Sequence, residues 1–179
     1  MAFLDQMNVA DKRLKGGDAA ASSARSKDIF GNDSAANLED SEEHKAFIAS
    51  IENKRLAEDN RYRGNEYMRA KDYDEAIKAY SKSLELNPGE AATYCNRAMA
   101  YLRNKNYARC IEDANTTISM ESDYVKAYHR RGKAYLATNK FELAIRDFQY
   151  ILEKNPDDKD INASLKTARE KLEEREDRA

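Results

Sequence analysis

One spacing recurs along the middle of the chain and constrains its fold more than any other feature. Small residues stand 34 positions apart at Gly64, Ala98 and Gly132. Three further sets follow the same spacing: Tyr67, Tyr101 and Tyr135; Tyr73, Tyr107 and Phe141; and Ala76, Cys110 and Ala144. A fixed period of about 20–50 residues is typical of stacked repeat proteins. We therefore expect three copies of one structural unit, each packed against its neighbour.

Each unit is predicted to be a helix hairpin, which makes the fold all-α. The first helices are expected at 57–70, 91–104 and 125–138, and the second helices at 73–86, 107–120 and 141–154. Pro88 and Pro156 follow the second helix of repeats one and three, where proline ends a helix because it has no backbone N–H to donate. The small residues let paired helices approach closely, and the aromatic residues fill the gaps between hairpins.

The segment before the repeats divides into two parts. Residues 1–39 are rich in small and polar side chains, so we predict a disordered tail that buries too little surface to order itself. The alternative there is a short docking motif formed by Phe3, Leu4 and Met7. A leading helix is predicted at 40–56, because Asp40 to Glu43 resembles a capping box. Its narrow apolar face is expected to cover the open end of the first repeat, and consists of Phe47, Ile48 and Ile51.

A final helix is predicted at 159–176, after the third repeat. Its apolar residues fall on one helical stripe, at Ile161, Leu165, Ala168 and Leu172. We expect this stripe to cap the stack, because the last repeat would otherwise expose its packing face. The opposite face carries Lys, Glu and Arg and is expected to be solvated.

Composition excludes several classes of function. Charged residues make up 36% of the chain, yet the net charge is only -2, so nothing favours binding to nucleic acid or to an anionic membrane. No apolar run approaches the ~20 residues of a membrane span. Cys95 and Cys110 are expected to be free thiols, which favours a reducing, cytoplasmic compartment. No metal-ligand spacing, phosphate loop or nucleophile elbow occurs, so we predict no cofactor, no metal and no enzyme activity.

The 34-residue pattern resembles the tetratricopeptide repeat (TPR). The resemblance covers 57–158, as repeats 57–90, 91–124 and 125–158. It departs from the family at Asn60, where a tryptophan or another large residue is common, and in the middle repeat, which lacks the Gly and the Pro of the other two. The resemblance implies a right-handed superhelical solenoid of three TPR hairpins with a leading helix and a C-terminal capping helix.

The first helices of TPR hairpins line a concave surface. The positions on that surface are Arg61, Asn65, Met68 and Arg69 in repeat one; Cys95, Asn96, Met99, Leu102 and Arg103 in repeat two; and Lys126, His129, Arg130, Lys133 and Leu136 in repeat three. None of these side chains is acidic. We therefore predict a basic, amide-rich groove that attracts an extended acidic peptide.

Five of these residues resemble a sharper pattern, the carboxylate clamp of co-chaperone TPR domains. They are called the clamp residues below: Arg61, Asn65, Asn96, Lys126 and Arg130. The family usually has lysine where Arg61 stands. The resemblance implies that they bind the terminal carboxylate and last Asp side chain of the Glu-Glu-Val-Asp tail of heat-shock chaperones. The remaining groove residues are Met99, Leu102, Arg103, His129 and Lys133, of which Met99 and Leu102 are expected to pack an apolar residue of the peptide.

The predicted function is that of a cytoplasmic co-chaperone adaptor, similar to sperm-associated antigen and RNA-polymerase-associated TPR co-chaperones. Its partners would be a chaperone tail and other protein subunits or clients, with an association with the cilium or axoneme left open. The alternative is a structural scaffold subunit of a ciliary or cytoskeletal assembly that binds no chaperone tail. A generic solvated groove, or one that takes a non-terminal ligand, is the alternative at the level of the site.

Overall fold

The computed structural model describes residues 41–178, and that range contains seven helices. They are α1 (Glu42–Arg69), α2 (Tyr73–Leu86), α3 (Ala91–Arg103), α4 (Tyr107–Met120), α5 (Val125–Ala137), α6 (Phe141–Lys154) and α7 (Lys159–Glu176). The predicted tail at 1–39 and the docking motif at Phe3, Leu4 and Met7 lie outside the described residues. The described helices include none that is long and apolar enough to cross a bilayer. The predicted all-α architecture of stacked helix hairpins is confirmed.

The turns inside the three hairpins share one backbone geometry. Lys71, Lys105 and Asn139 each have a positive φ, of 60°, 59° and 59°. This left-handed conformation ends a helix tightly, and glycine adopts it most easily because it has no Cβ. The following helix then begins at a capping side chain in two hairpins, where Asp72 accepts from the N–H of Glu75 and Asn106 accepts from the N–H of Arg109, both at 3.3 Å.

The turn at Lys71 leads to a stability prediction. Lys71→Gly should raise the free energy of unfolding by about 0.5–1 kcal/mol, because it relieves the clash between Cβ and backbone at positive φ. Urea unfolding followed by circular dichroism measures the change. Lys71→Ala is the matched control, since it removes the same long side chain but keeps Cβ, and it should give no gain. Equal stability of the two variants would contradict the prediction.

Two glycines set the closest approach between paired helices. A Cβ on Gly64 would lie 2.5 Å from the Tyr80 ring, and one on Gly132 would lie 2.7 Å from the Phe148 ring. The small residues Ala76, Cys110 and Ala144 are fully buried, as are the two aromatic rings to within 1%. The small positions of the period therefore accommodate large side chains from the partner helix.

A buried ion pair repeats with the 34-residue period: it joins the two helices of one hairpin, and its arginine also bonds to the preceding hairpin. Arg97 donates to both carboxylate oxygens of Asp113 at 2.8 Å and to Ser81 of the preceding hairpin at 3.0 Å. Its counterpart, Arg131, donates to Asp147 at 2.9 and 2.7 Å and to Asn115 at 2.7 Å; Asp113 and Asp147 are buried.

The first repeat lacks this ion pair. Arg63 stands 34 positions before Arg97, but Ala79 stands 34 positions before Asp113, so no carboxylate is offered at that place. Within residues 41–178, Arg63 is exposed and forms no ion pair. The ion pair that joins the two helices of the second and third hairpins is thus absent from the first, within residues 41–178.

The leading helix differs from its prediction. Ser41 caps it by accepting from the N–H of His44 at 3.1 Å, and the helix then continues without a break to Arg69 as α1. Phe47, Ile48 and Ile51 are 62%, 51% and 49% exposed. The expectation that these side chains cover the open end of the first repeat is therefore wrong, because residues 42–56 extend the first helix of the hairpin instead of forming a separate one.

Helix α7 packs on the last hairpin as a capping helix. Asp158 caps its start by accepting from the N–H of Ile161 at 3.0 Å. The side chains of Ile161, Leu165 and Ala168 are buried in one cluster with Phe148 of α6. The cluster removes the packing face of the third repeat from water, which stabilises the end of the stack.

Candidate functional site

The predicted groove is an open cavity of about 510 Å³ between α3 and α5. It is lined by Met99, Leu102, Arg103, Lys105, Tyr107, His129, Lys133 and Ala137. All five predicted groove residues outside the clamp are in this set, whereas none of the five clamp residues is. A second cavity of similar volume shares His129 and Lys133 and continues over α5 to Asp160 and Ser164 of α7. The groove therefore runs from α3 to the capping helix α7. The repeat pattern alone does not predict that α7 forms one of its walls.

Two clamp asparagines are joined across the first and second repeats. The hydroxyl of Tyr80 donates to Asn65 Oδ1 at 2.7 Å, and Asn96 Nδ2 donates to the same oxygen at 3.4 Å. Because Oδ1 accepts both bonds, the amide of Asn65 has a fixed orientation. Its NH₂ group has no acceptor within residues 41–178, so it remains a donor for a ligand.

Tyr80 was not among the predicted site residues, and its position depends on Gly64. The ring passes so close to Gly64 that any Cβ would collide with it, and this path carries the hydroxyl to Asn65. Burial raises the pKa of Tyr80 to about 12, while the charges of Arg130, Arg61 and Arg69 act in the opposite direction. Tyr80 is thus a neutral donor surrounded by cations at any physiological pH.

Arg130 is anchored to the second repeat. Its Nη1 donates to Cys95 Sγ, and its backbone carbonyl accepts from the Cys110 thiol at 3.6 Å. Both thiols are fully buried. Burial raises the pKa of Cys95, against the lowering effect of the nearby Arg130 and Lys126 charges, and raises that of Cys110 to about 12. The thiols therefore act as packing and orienting groups, because a protonated, buried thiol is a poor nucleophile.

Lys126 and Arg61 differ in how they are held. Lys126 is exposed and has no ion-pair partner in the described part of the chain. Arg61 Nε lies 3.1 Å from Glu90 Oε1, an ion pair that links α1 to the residue before α3. Glu90 was missed from the sequence, because it lies in a loop and outside the helical face on which the groove residues were sought.

His129 and Lys133 lie where the two cavities meet. Burial lowers the pKa of His129, and the Lys133 and Arg130 charges lower it further, so the imidazole is neutral at physiological pH. Its Nε2 atom is buried and has no hydrogen-bond partner within residues 41–178. Lys133 Nζ donates to Ser164 Oγ of α7 at 2.7 Å. His129 is therefore a polar wall of the groove, and Lys133 connects that wall to the capping helix.

The contacts join two of the five clamp residues directly and link two others to α3 or to the residue before it. Asn65 and Asn96 meet directly, Arg130 reaches α3 through Cys95, and Arg61 reaches the start of α3 through Glu90. Lys126 is exposed and has no ion-pair partner within residues 41–178. Within residues 41–178, no three His, Cys, Asp or Glu side chains are grouped as a metal site.

Known families and proteins match the repeat region. A tetratricopeptide repeat model matches residues 61–90 and 125–158, and a second tetratricopeptide repeat model matches 79–112. Serine/threonine-protein phosphatase 5 of Mus musculus is 40% identical over 104 residues, which is 58% of this chain and 21% of the phosphatase. This chain therefore spans about a fifth of the length of the phosphatase relatives that it matches.

Two solved TPR domains have the same fold. The first TPR of Spaghetti (RPAP3), solved with the HSP90 peptide SRMEEVD, is 34% identical, with a TM-score of 0.64 over 66% of this chain and 94% of that domain. The second TPR domain of human RPAP3, solved with the HSP70 peptide SGPTIEEVD, is 28% identical, with a TM-score of 0.60 over 67% of this chain and 98% of that domain. The predicted resemblance to TPR domains that bind chaperone tails is confirmed.

Proposed function

This chain belongs to the tetratricopeptide repeat family, and from that premise we propose that it is a co-chaperone adaptor. Its groove binds the acidic C-terminal Glu-Glu-Val-Asp tail of heat-shock chaperones through the clamp residues. The similar RPAP3 domains were solved with such tails bound, which supports a tail as the ligand. A fixed scaffold role without tail binding is not favoured by these relatives.

The observation that carries the proposal is a set of donors on the clamp residues that have no acceptor, or only a weak one, within residues 41–178. The amide NH₂ of Asn65 and the ammonium group of Lys126 have no partner within residues 41–178. Arg130 is held in place by a thiol, which is a weak acceptor and leaves the guanidinium charge uncompensated. Oriented but unpaired donors fit an anionic ligand, because their orientation lowers the entropic cost of binding.

We assign roles by position along the three first helices. Arg61, Asn65 and Asn96 bind the terminal carboxylate, and Lys126 and Arg130 bind the side chain of the last Asp. The apolar residue before it enters the cavity beside Met99 and Leu102, where it is removed from water. Arg103, His129 and Lys133 contact the acidic residues further upstream.

The expected affinity is micromolar. Each charge-assisted hydrogen bond contributes about 1.5–3 kcal/mol before the cost of ordering the peptide. A net binding free energy of about 8 kcal/mol corresponds to a Kd near 1 µM. Because the contacts are ionic and partly exposed, the affinity should fall as the salt concentration rises.

Isothermal titration with two peptides tests the proposal. A Glu-Glu-Val-Asp peptide with a free C-terminal carboxylate should bind at least about tenfold more tightly than the same peptide with an amidated C-terminus, since amidation removes one of two charges that the clamp binds. Equal binding of the two peptides, or no binding by either, would exclude a carboxylate clamp and would favour a scaffold or a non-terminal ligand.

The remaining assignments follow from the same proposal. We propose a cytoplasmic location, supported by two cysteines that form no disulfide within residues 41–178, and a binding role rather than catalysis for the repeats. Association with a cilium or axoneme stays a prediction. The organisation that we propose is a leading segment over 40–56 that continues into the first repeat as part of α1, repeats at 57–90, 91–124 and 125–158, and a capping helix over 159–176.

A further inference from the structure

We propose that Glu90 is a positioning residue for the groove, which holds Arg61 by one edge of its guanidinium and leaves the other edge for the peptide carboxylate. The inference rests on the clamp proposed above. It concerns an acidic side chain at the rim of a site that binds acids, where a carboxylate would ordinarily weaken binding by repulsion.

The Nε edge of Arg61 is the one held. Nε lies 3.1 Å from Glu90 Oε1, is buried from solvent, and has no hydrogen-bond partner within residues 41–178. The Arg61 side chain as a whole is 33% exposed, so its accessible part lies elsewhere than Nε. A ligand therefore meets the terminal nitrogens of the guanidinium, and Glu90 does not occupy their place.

The backbone position of Glu90 supports the same role. Glu90 is the N-cap residue of α3, but its side chain makes no capping hydrogen bond. Asp158 stands 68 positions later, at the equivalent place two repeats on, and its side chain does cap its helix. The Glu90 carboxylate is thus turned away from its own helix and toward α1, where its partner is a clamp residue.

Arginine is the side chain that makes this sharing possible. A guanidinium has donors on two edges, so one edge can bind a structural carboxylate while the other binds a ligand. The ammonium group of a lysine is a single point charge, and a neighbouring carboxylate would compete with the ligand for it. Glu90 should therefore assist binding with arginine at position 61 and oppose it with lysine there.

A double-mutant cycle measures this reversal of sign. Kd values for the Glu-Glu-Val-Asp peptide are determined for the wild type, E90Q, R61K and R61K/E90Q. We expect E90Q alone to weaken binding about 3- to 10-fold, through loss of guanidinium orientation. In the R61K background, E90Q should instead strengthen binding about threefold, because it removes a competitor for the ammonium group. Melting temperatures of the four proteins should agree, since the pair is partly exposed.

Glu121→Gln is the matched control for charge alone. Glu121 is an exposed acid whose charge raises the pKa of Cys95, so it lies close to the groove. Its removal changes the net charge by the same amount as E90Q and should leave binding unchanged or slightly tighter. A gain in affinity from both variants would show that Glu90 only repels the peptide, and would overturn the positioning role.

A readout without peptide separates this proposal from the clamp itself. In nuclear magnetic resonance spectra of the free protein, the Arg61 Nε–H chemical shift should differ between the wild type and E90Q, because the Glu90 carboxylate charge lies 3.1 Å from Nε. If the wild type prefers the free carboxylate but E90Q binds equally well, the Glu90 role is wrong and the clamp stands. If the wild type does not distinguish the free from the amidated peptide, the clamp is wrong and the role of Glu90 falls with it.

Discussion

Arg130→Ala is expected to weaken binding of a Glu-Glu-Val-Asp peptide by about a hundredfold, to the limit of detection for a micromolar ligand. Arg130 is the best anchored cation of the groove, since its guanidinium contacts Cys95 and its carbonyl contacts Cys110. A cation already fixed in place loses little entropy when the ligand arrives, so its removal costs most of its interaction energy. Lys126→Ala should have a smaller effect, because the exposed lysine must be ordered on binding.

Titration calorimetry measures both variants, and Arg146→Ala is the control. Arg146 is an exposed arginine of α6 and is absent from the residues that line the two groove cavities. The control has the same change of charge and should bind as the wild type does. Helicity must stay intact in all three proteins. If Arg130→Ala lost helicity, Arg130 would be a structural residue, and if it bound normally, the clamp assignment would be wrong.

Asp147→Ala is expected to destabilise the fold by about 3–5 kcal/mol, the largest effect on stability that we predict. The variant leaves the guanidinium of Arg131 without its two charge-assisted bonds, at a site where the side chain is only 18% exposed. The arginine cannot escape the penalty by losing its proton, because a guanidinium keeps its proton in a protein even without a carboxylate beside it. The melting temperature should fall by about 10 °C or more.

Differential scanning calorimetry tests this prediction, with two comparisons. Glu112→Ala removes the acid of an exposed ion pair with Arg109 and should leave the melting temperature nearly unchanged. Arg131→Met/Asp147→Leu removes both charges together and should recover much of the lost stability, because no unpaired charge is left buried. A small change in melting temperature for Asp147→Ala would mean that the ion pair between α5 and α6 does not stabilise the fold.

The hairpins were predictable because their residues recur. Gly64 and Gly132 are each needed because an aromatic ring of the paired helix lies against them. The 34-residue period identifies both positions even when the ring is not known. The leading helix was expected to lead directly into repeat one, as α1 does, but the exposure of its apolar face was not predicted, because an apolar stripe does not say what covers it. The segment from Glu42 to Arg63 contains no glycine or proline, and that absence of helix breakers was the available indication of one long helix.

The site was predictable only where it follows a helical face. Met99, Leu102 and His129 were placed in the groove from helical spacing, and they line the cavity. Tyr80 and Glu90 were missed for different reasons. Tyr80 belongs to a second helix and reaches the groove only by passing Gly64, whereas the direction of the Glu90 side chain is set by a loop and by Arg61. Neither side chain lies on the helical face from which the groove residues were predicted.

The missing carboxylate at Ala79 has a consequence for the dynamics of the stack. Within residues 41–178, repeat one lacks the ion pair that joins the two helices of each later hairpin, and the apolar side chains Phe47, Ile48 and Ile51 of α1 are exposed. In a linear array, local opening starts at the end with the weakest interface, so fraying should begin at α1 and diminish toward α7. Arg61 and Asn65 lie in that first repeat. A bound tail would contact repeat one together with repeats two and three. Peptide binding should therefore also slow proteolysis of the N-terminal hairpin.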